Sequence, residues 1–81
     1  MKILIIEDEP SLREIMQRAL EQERYVVETA TTYAEADAKL AAYTYDCILL
    51  DIMLPDGNGL HLLEHLKQQR KRDNVIIISA R

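Results

Sequence analysis

The sequence contains few of the residues on which several common kinds of site depend. It has one cysteine, two glycines, and neither tryptophan nor phenylalanine among its 81 residues. A single cysteine, Cys47, cannot form an internal disulfide, which is typical of a protein in a reducing compartment. No apolar run approaches the roughly 20 residues that span a bilayer. The first apolar run, Ile3 to Ile6, is too short for the core of an export signal, so we expect a cytoplasmic protein.

Positive charges are fewer than negative charges in this chain. Ten Lys and Arg residues against 14 Asp and Glu residues give a formal net charge of -4, whereas a nucleic-acid surface needs clustered cations. Gly57 and Gly59 do not form a dinucleotide-binding loop, because position 62 is Leu62 and the pair does not join a strand directly to a helix. Hydrophobic residues at 48% and charged residues at 30% indicate one small soluble domain spanning residues 1–81.

Short apolar runs predict strands that are buried on both faces, the arrangement of a parallel sheet. The predicted strands cover residues 2–7, 25–30, 47–51 and 74–79. Helical patterns lie between them, over residues 10–22, from the capping residues Thr31 and Thr32 to about Tyr43, and over about a dozen residues from Leu60. Residues 55–59 are proline, aspartate, glycine, asparagine and glycine, a composition that predicts a loop. The order βαβαβαβ predicts an α/β fold with right-handed crossovers.

Three carboxylates stand at the ends of two predicted strands. Glu7 and Asp8 follow the first apolar run, and Asp51 follows Cys47 to Leu50. Taken singly, each could be an ordinary solvated side chain. Chemistry in open parallel sheets lies beyond the carboxyl ends of the strands, so the three together predict one acidic crevice. Such a crevice is costly without a cation, which suggests a Mg²⁺ site.

The chain resembles the receiver domains of bacterial two-component response regulators. The resemblance runs through three segments of the sequence: Lys2 to Glu9, Leu50 to Pro55 with Gly59 beyond, and Ile78 to Arg81. The order Asp-x-Met-Leu-Pro after the third strand is most similar to the OmpR/PhoB-type regulators, which carry a winged-helix DNA-binding domain. The resemblance implies a flavodoxin-like, doubly wound parallel sheet with strand order 2-1-3-4.

The resemblance also implies a phosphoacceptor site. Asp51 would take a phosphoryl group from the phosphohistidine of a sensor histidine kinase, chemistry that depends mainly on positioning and charge neutralisation. Asp8 and Asp51 would bind Mg²⁺ directly, and Glu7 would act through a water molecule. The main-chain carbonyl of Met53 would supply a further oxygen.

Two more residues complete the implied site. The hydroxyl of Ser79 and the main-chain N–H of Ala80 would hold the phosphoryl group. The shift of Ser79 toward that group would bias a two-state surface, the usual logic of a phosphorylation switch.

Receivers normally continue through a helix, a fifth strand that carries an invariant lysine, and a final helix, none of which is in this sequence. We therefore expect residues 1–81 to be the N-terminal part of a receiver, with DNA binding only through an output domain elsewhere. The fourth strand, Val75 to Ile78, would then be an exposed apolar edge, a template for pairing with another chain. We expect self-association through it.

Two rival functions remain open on the sequence. A phosphatase of the haloacid-dehalogenase type also uses a nucleophilic aspartate with Mg²⁺, but it needs a second aspartate two positions on, where this chain has Met53. The other rival is a binding module that keeps the receiver shape without cycling phosphate.

Overall fold

Four parallel strands form the central sheet of the computed structural model, which describes residues 1–68 and 74–78. The strands are β1 (Lys2–Ile6), β2 (Val26–Ala30), β3 (Cys47–Leu50) and β6 (Asn74–Ile77). Their order in the sheet is β2-β1-β3-β6. Since β6 is the fourth strand predicted from the sequence, the α/β class and the predicted order 2-1-3-4 are confirmed.

In the part of the chain that the structure describes, three helices connect the strands: α1 (Pro10–Gln22), α2 (Tyr33–Ala42) and α3 (Gly59–Gln68). The Glu9 carboxylate caps α1 by accepting hydrogen bonds from the N–H groups of Ser11 and Leu12 at 3.2 and 2.7 Å. Pro10 follows in the first turn, where its lack of an N–H costs nothing. These local signals explain why the predicted start of α1 agrees with the structure.

The core lies on both faces of β1 and β3. Side chains alternate across a strand, so Leu4 and Ile6 pack on one face with residues of α2 and α3, including Leu40 and Leu62. On the other face, Ile3, Ile5 and Cys47 pack against α1, mainly through Met16 and Leu20. The prediction that these strands are buried on both faces is confirmed.

The helix faces differ in detail from the sequence pattern. The helical pattern over residues 10–22 predicts one apolar stripe on α1 that includes Leu12 and Ile15, but both side chains are exposed in the structure. On α3, Leu62 and Leu66 lie four residues apart on one face and are buried, while Leu60 lies off that face and is exposed. Among the described residues, no helix combines the length and the apolar character needed to cross a bilayer.

A short antiparallel hairpin occupies the region for which the sequence predicted only a loop. Its strands are β4 (Met53–Leu54) and β5 (Gly57–Asn58), joined by a turn at residues 55–56. Leu54 is buried in the core, which holds the hairpin against the sheet. The predicted turn is therefore present, but it lies within a paired structure.

A polar cluster holds the amino end of the sheet together. The buried Tyr45 donates its hydroxyl to Glu28 at 2.6 Å, and the Lys2 ammonium lies 3.5 Å from the same carboxylate. This ammonium also lies 4.9 and 5.1 Å from the ring centres of Tyr43 and Tyr45. The hydrogen bond from Tyr45, followed by the charges of Lys2 and Lys39, lowers the pKa of Glu28.

Candidate functional site

Glu7 and Asp51 are placed side by side because the sheet pairing continues one residue beyond the strands. The N–H of Asp51 donates to the carbonyl of Ile6 at 2.9 Å, and the N–H of Glu7 donates to the carbonyl of Ala30 at 3.0 Å. Both residues are therefore fixed at the carboxyl edge of the sheet. This edge is where open parallel sheets place their chemistry.

Glu7, Asp8 and Asp51 form one acidic cluster. One carboxylate oxygen of each residue lies within 4.8 Å of the others. Glu7 and Asp51 are only 1% and 0% exposed, and Asp8 is half-buried. The convergence predicted from the sequence is present in the structure.

The chemistry of this cluster suits a hard divalent cation. At an effective dielectric of about 20, two ionised carboxylates 4.8 Å apart repel by about 3 kcal/mol. The free energy of unfolding of a small domain is only about 5–15 kcal/mol, so the repulsion of three such pairs is a large share of it. A divalent cation bound by carboxylate oxygens removes that repulsion, and Mg²⁺ and Ca²⁺ both prefer oxygen ligands. The residues present fit such an ion.

Arg13 holds the loop that carries two of the three carboxylates. Its Nη1 atom donates to the carbonyl of Glu7 at 3.1 Å and lies 3.4 Å from the carbonyl of Asp8. The Glu7 side chain in turn accepts a hydrogen bond from the N–H of Glu9 at 3.2 Å. The sequence pattern did not identify Arg13 as part of the site. The sequence does contain one sign of a special role: Arg13 lies near the N-terminus of α1, where the helix dipole disfavours positive charge.

The β4–β5 hairpin brings main-chain groups to the Asp51 carboxylate. The N–H of Met53 donates to Oδ1 of Asp51 at 3.1 Å. The Met53 side chain is 57% exposed, so this residue contacts the site through its backbone. The predicted role of the Met53 carbonyl as a metal ligand stays a prediction.

Gly59 lies where no side chain fits. A Cβ atom at this position would be 2.4 Å from the carbonyl oxygen of Asp51 and 2.9 Å from Cα of Ile52. The N–H of Gly59 donates to the carbonyl of Ile52 at 2.6 Å, which closes the hairpin onto the start of α3. The sequence identified this glycine as part of a turn and of the family resemblance, but its close approach to the Asp51 backbone depends on tertiary packing.

Ser79 and Ala80 lie outside the described residues, and their predicted roles stay predictions. The sheet pairing is described as far as Ile78, whose N–H donates to the carbonyl of Leu50 at 3.0 Å. Leu50 immediately precedes Asp51. The described part of β6 therefore runs alongside the strand that carries the central carboxylate.

Comparison with known sequences identifies relatives over the full chain. The transcriptional regulatory protein PmrA of Pectobacterium parmentieri is 40% identical over 81 residues, and the chain spans 36% of its length. The transcriptional regulatory protein BasR of Escherichia coli K12 is 38% identical over 81 residues, and again the chain spans 36% of the relative. These relatives agree with the predicted OmpR/PhoB-type subfamily.

Solved structures give the same result. The MaeR response regulator bound to beryllium trifluoride is 35% identical with a TM-score of 0.91; the match covers 100% of this chain and 68% of that one. The response regulator TrrA of Thermotoga maritima, solved in complex with Mg(2+)-BeF, is 32% identical with a TM-score of 0.91. That match covers 99% of this chain and 70% of that one. The flavodoxin-like fold prediction is therefore confirmed.

A family model supports the same assignment. The model described as the response regulator receiver domain matches residues 3–81. Members of this family accept a phosphoryl group on an aspartate in two-component signal transduction, and the relatives named above regulate transcription. The chain belongs to the response regulator receiver domain family.

Proposed function

We propose that this chain accepts a phosphoryl group on Asp51 from the phosphohistidine of a sensor histidine kinase. A carboxylate oxygen of Asp51 forms a bond to phosphorus while the bond from phosphorus to the histidine nitrogen breaks. The observation that carries the proposal is the cluster of Glu7, Asp8 and Asp51, whose oxygens converge within 4.8 Å at the carboxyl edge of the sheet.

Mg²⁺ is the proposed cofactor. Asp8 and Asp51 would bind it directly, Glu7 through a water molecule, and the carbonyl of Met53 would add an oxygen. When bound, the ion supplies charge neutralisation for the incoming phosphoryl group. The chain itself orients the nucleophile, because the N–H of Met53 donates to one oxygen of the Asp51 carboxylate and restricts its rotation.

The residue two positions after Asp51 favours a signalling module over a phosphatase. Hydrolysis with multiple turnovers needs an acid that protonates the leaving group. Two residues after the nucleophile, this chain has Met53, whose side chain carries no titratable proton. We therefore propose a signalling module, with Ser79 and Ala80 as further contacts to the phosphoryl group.

The proposed partner is a sensor histidine kinase in the cytoplasm. The relatives that the chain matches are more than twice its length, since it spans 36% of PmrA, and they are named as transcriptional regulators. Control of DNA binding is proposed for an output domain outside residues 1–81. The formal net charge of -4 is consistent with a receiver that does not bind DNA itself.

Intact mass spectrometry tests the proposal. The chain is incubated with a small-molecule phosphodonor and Mg²⁺, beside the Asp51→Asn variant and the surface control Asp37→Asn. We expect the mass of one phosphate on the parent chain and on Asp37→Asn, and none on Asp51→Asn. Omitting Mg²⁺ should abolish the gain.

The other outcomes separate the rival functions. No phosphate on a parent chain shown to be folded by circular dichroism would contradict phosphoacceptance and favour the binding-only module. Continuous release of phosphate that is lost in Asp51→Asn would favour the phosphatase.

A further inference from the structure

We propose that Asp56 is a positioning residue for Asp51, because it attaches the β4–β5 hairpin to the N-terminus of α2. The functional part of this inference rests on the proposed phosphoacceptor function. Its structural part, the attachment itself, is independent of that function. The sequence indicated only a turn at this position.

The first observation is a pair of hydrogen bonds between distant parts of the chain. Oδ1 of Asp56 accepts from the N–H of Tyr33 at 2.6 Å, and Oδ2 accepts from the N–H of Ala34 at 3.1 Å. These two N–H groups belong to the first turn of α2, where they have no partner within the helix. The two hydrogen bonds lower the pKa of Asp56, so the carboxylate is ionised at neutral pH.

The second observation is a packing contact at the same point. A Cβ atom on Gly57 would lie 2.9 Å from Cδ2 of the Tyr33 ring, so the backbone of β5 lies directly on that ring. Tyr33 is the first residue of α2. The hairpin therefore meets α2 through both a bidentate hydrogen bond and a close van der Waals contact.

The end of the hairpin opposite to its turn contacts Asp51. Its first strand donates the N–H of Met53 to Oδ1 of Asp51 at 3.1 Å. The pairing of Met53 with Asn58 and of Leu54 with Gly57 makes the hairpin one unit. Since one end of this unit contacts the Asp51 carboxylate and the turn at its other end is bound to α2, the position of Asp56 restrains the orientation of Asp51.

The chain offers a matched control on the same helix turn. The Thr32 hydroxyl caps α2 by accepting from the N–H of Glu35 at 3.1 Å and makes this contact within the helix end itself. Thr32→Ala and Asp56→Ala each remove hydrogen bonds from the α2 N-terminus. Only Asp56→Ala removes the hydrogen bonds between the hairpin and α2.

The experiment measures two quantities in the parent chain, Asp56→Ala, Asp56→Asn and Thr32→Ala. The first is amide hydrogen exchange at Met53, followed by NMR in the absence of phosphodonor. The second is the initial rate of phosphate gain by intact mass with a small-molecule phosphodonor and saturating Mg²⁺.

For Asp56→Ala we expect exchange at Met53 to accelerate by about tenfold, as a local contact is lost. We expect the rate of phosphate gain to fall by about tenfold, because a reacting group that shifts slightly loses much of its rate advantage. Asp56→Asn keeps one oxygen acceptor, so its exchange at Met53 and its rate of phosphate gain should lie between those of Asp56→Ala and the parent. Thr32→Ala should leave both near the parent values.

Two results would overturn the inference. Equal losses in Asp56→Ala and Thr32→Ala would mean that only helix stability matters, and parent-like values in Asp56→Ala would mean that the attachment does not restrain Asp51. If the parent chain gains no phosphate, the proposed function fails and exchange at Met53 still decides the structural part. If Asp56→Ala does not fold, Asp56→Asn carries the same comparison against Thr32→Ala.

Discussion

Replacing Asp51 with asparagine should stabilise the metal-free chain, although it removes a group that we place at the centre of the site. The carboxylate of Asp51 lies within 4.8 Å of carboxylate oxygens of Glu7 and Asp8. Asparagine has nearly the same shape, and its amide oxygen can still accept from the N–H of Met53. The substitution also removes one negative charge from a buried acidic cluster.

The magnitude follows from the separation of the charges. At 4.8 Å a pair of unit charges repels by about 1 kcal/mol in bulk water and by about 3 kcal/mol at an effective dielectric of about 20. The substitution removes two of the three repulsive pairs of carboxylates, so the free energy of unfolding should rise by about 2 to 7 kcal/mol. Asp8 is only half-buried, so we expect a gain near the lower end, about 2 kcal/mol.

Urea unfolding at neutral pH, followed by circular dichroism, measures this gain. The parent, Asp51→Asn and the surface variant Asp37→Asn are compared with and without Mg²⁺. Asp37→Asn removes the same charge from a partly exposed position on α2, so it controls for the change in net charge. In the parent, Mg²⁺ at 100 times its dissociation constant should add about 2.7 kcal/mol, and most of that increment should be lost in Asp51→Asn.

A lower free energy of unfolding for metal-free Asp51→Asn than for the parent would refute this reasoning. It would mean that the hydrogen bonds of the carboxylate outweigh the repulsion within the cluster. Equal responses of the parent and Asp51→Asn to Mg²⁺ would place the cation elsewhere.

Three further predictions concern other parts of the molecule. Gly59→Ala should lower the free energy of unfolding by about 2 kcal/mol and slow phosphate gain, because its Cβ would lie 2.4 Å from the carbonyl oxygen of Asp51. Urea unfolding measures the first effect and intact mass the second. Tyr45→Phe should cost about 1 to 3 kcal/mol, since it leaves the Glu28 carboxylate without its 2.6 Å hydrogen bond. The pKa of Glu28 is lower in the folded chain than its ordinary value of 4.5. The carboxylate therefore stabilises the fold above pH 4.5, and this contribution is lost as the pH falls through the folded-state pKa. The parent should lose more stability in acid than Tyr45→Phe. Ile76 on the edge strand β6 is 52% exposed, so the chain should self-associate in sedimentation velocity, and Ile76→Lys should reduce the association.

Each of these predictions has a control within the chain. Gly57→Ala should cost less than the Gly59 substitution, since its new Cβ meets the movable ring of Tyr33; equal costs would contradict the backbone-contact argument. Tyr43→Phe removes a hydroxyl from an exposed tyrosine and should leave the acid transition unchanged. Val26→Lys, on the opposite edge strand, should leave self-association as it is. A single monomeric species of the parent at high concentration would rule out association through β6.

Much of the fold could be predicted from the sequence because its signals are local. Continuous apolar runs such as Ile3 to Ile6 identify buried parallel strands. A capping residue such as Thr32 fixes a helix start through its own neighbours. The acidic site was predictable for the same reason: once the strands are known to be parallel, residues that follow them lie at one edge, as Glu7 and Asp51 do.

The tertiary structure alone decided how that site is held. Arg13 binds the loop that carries Glu7 and Asp8, Asp56 binds the start of α2 from 23 residues away, and Gly59 leaves room for the Asp51 carbonyl. Each of these contacts joins a side chain or a small residue to backbone groups of another segment. Such pairings leave no periodicity in the sequence, and the loop signal over residues 55–59 does not show which backbone groups Asp56 and Gly59 contact. The sequence therefore determined which carboxylates meet, and only the packed structure determined what positions them.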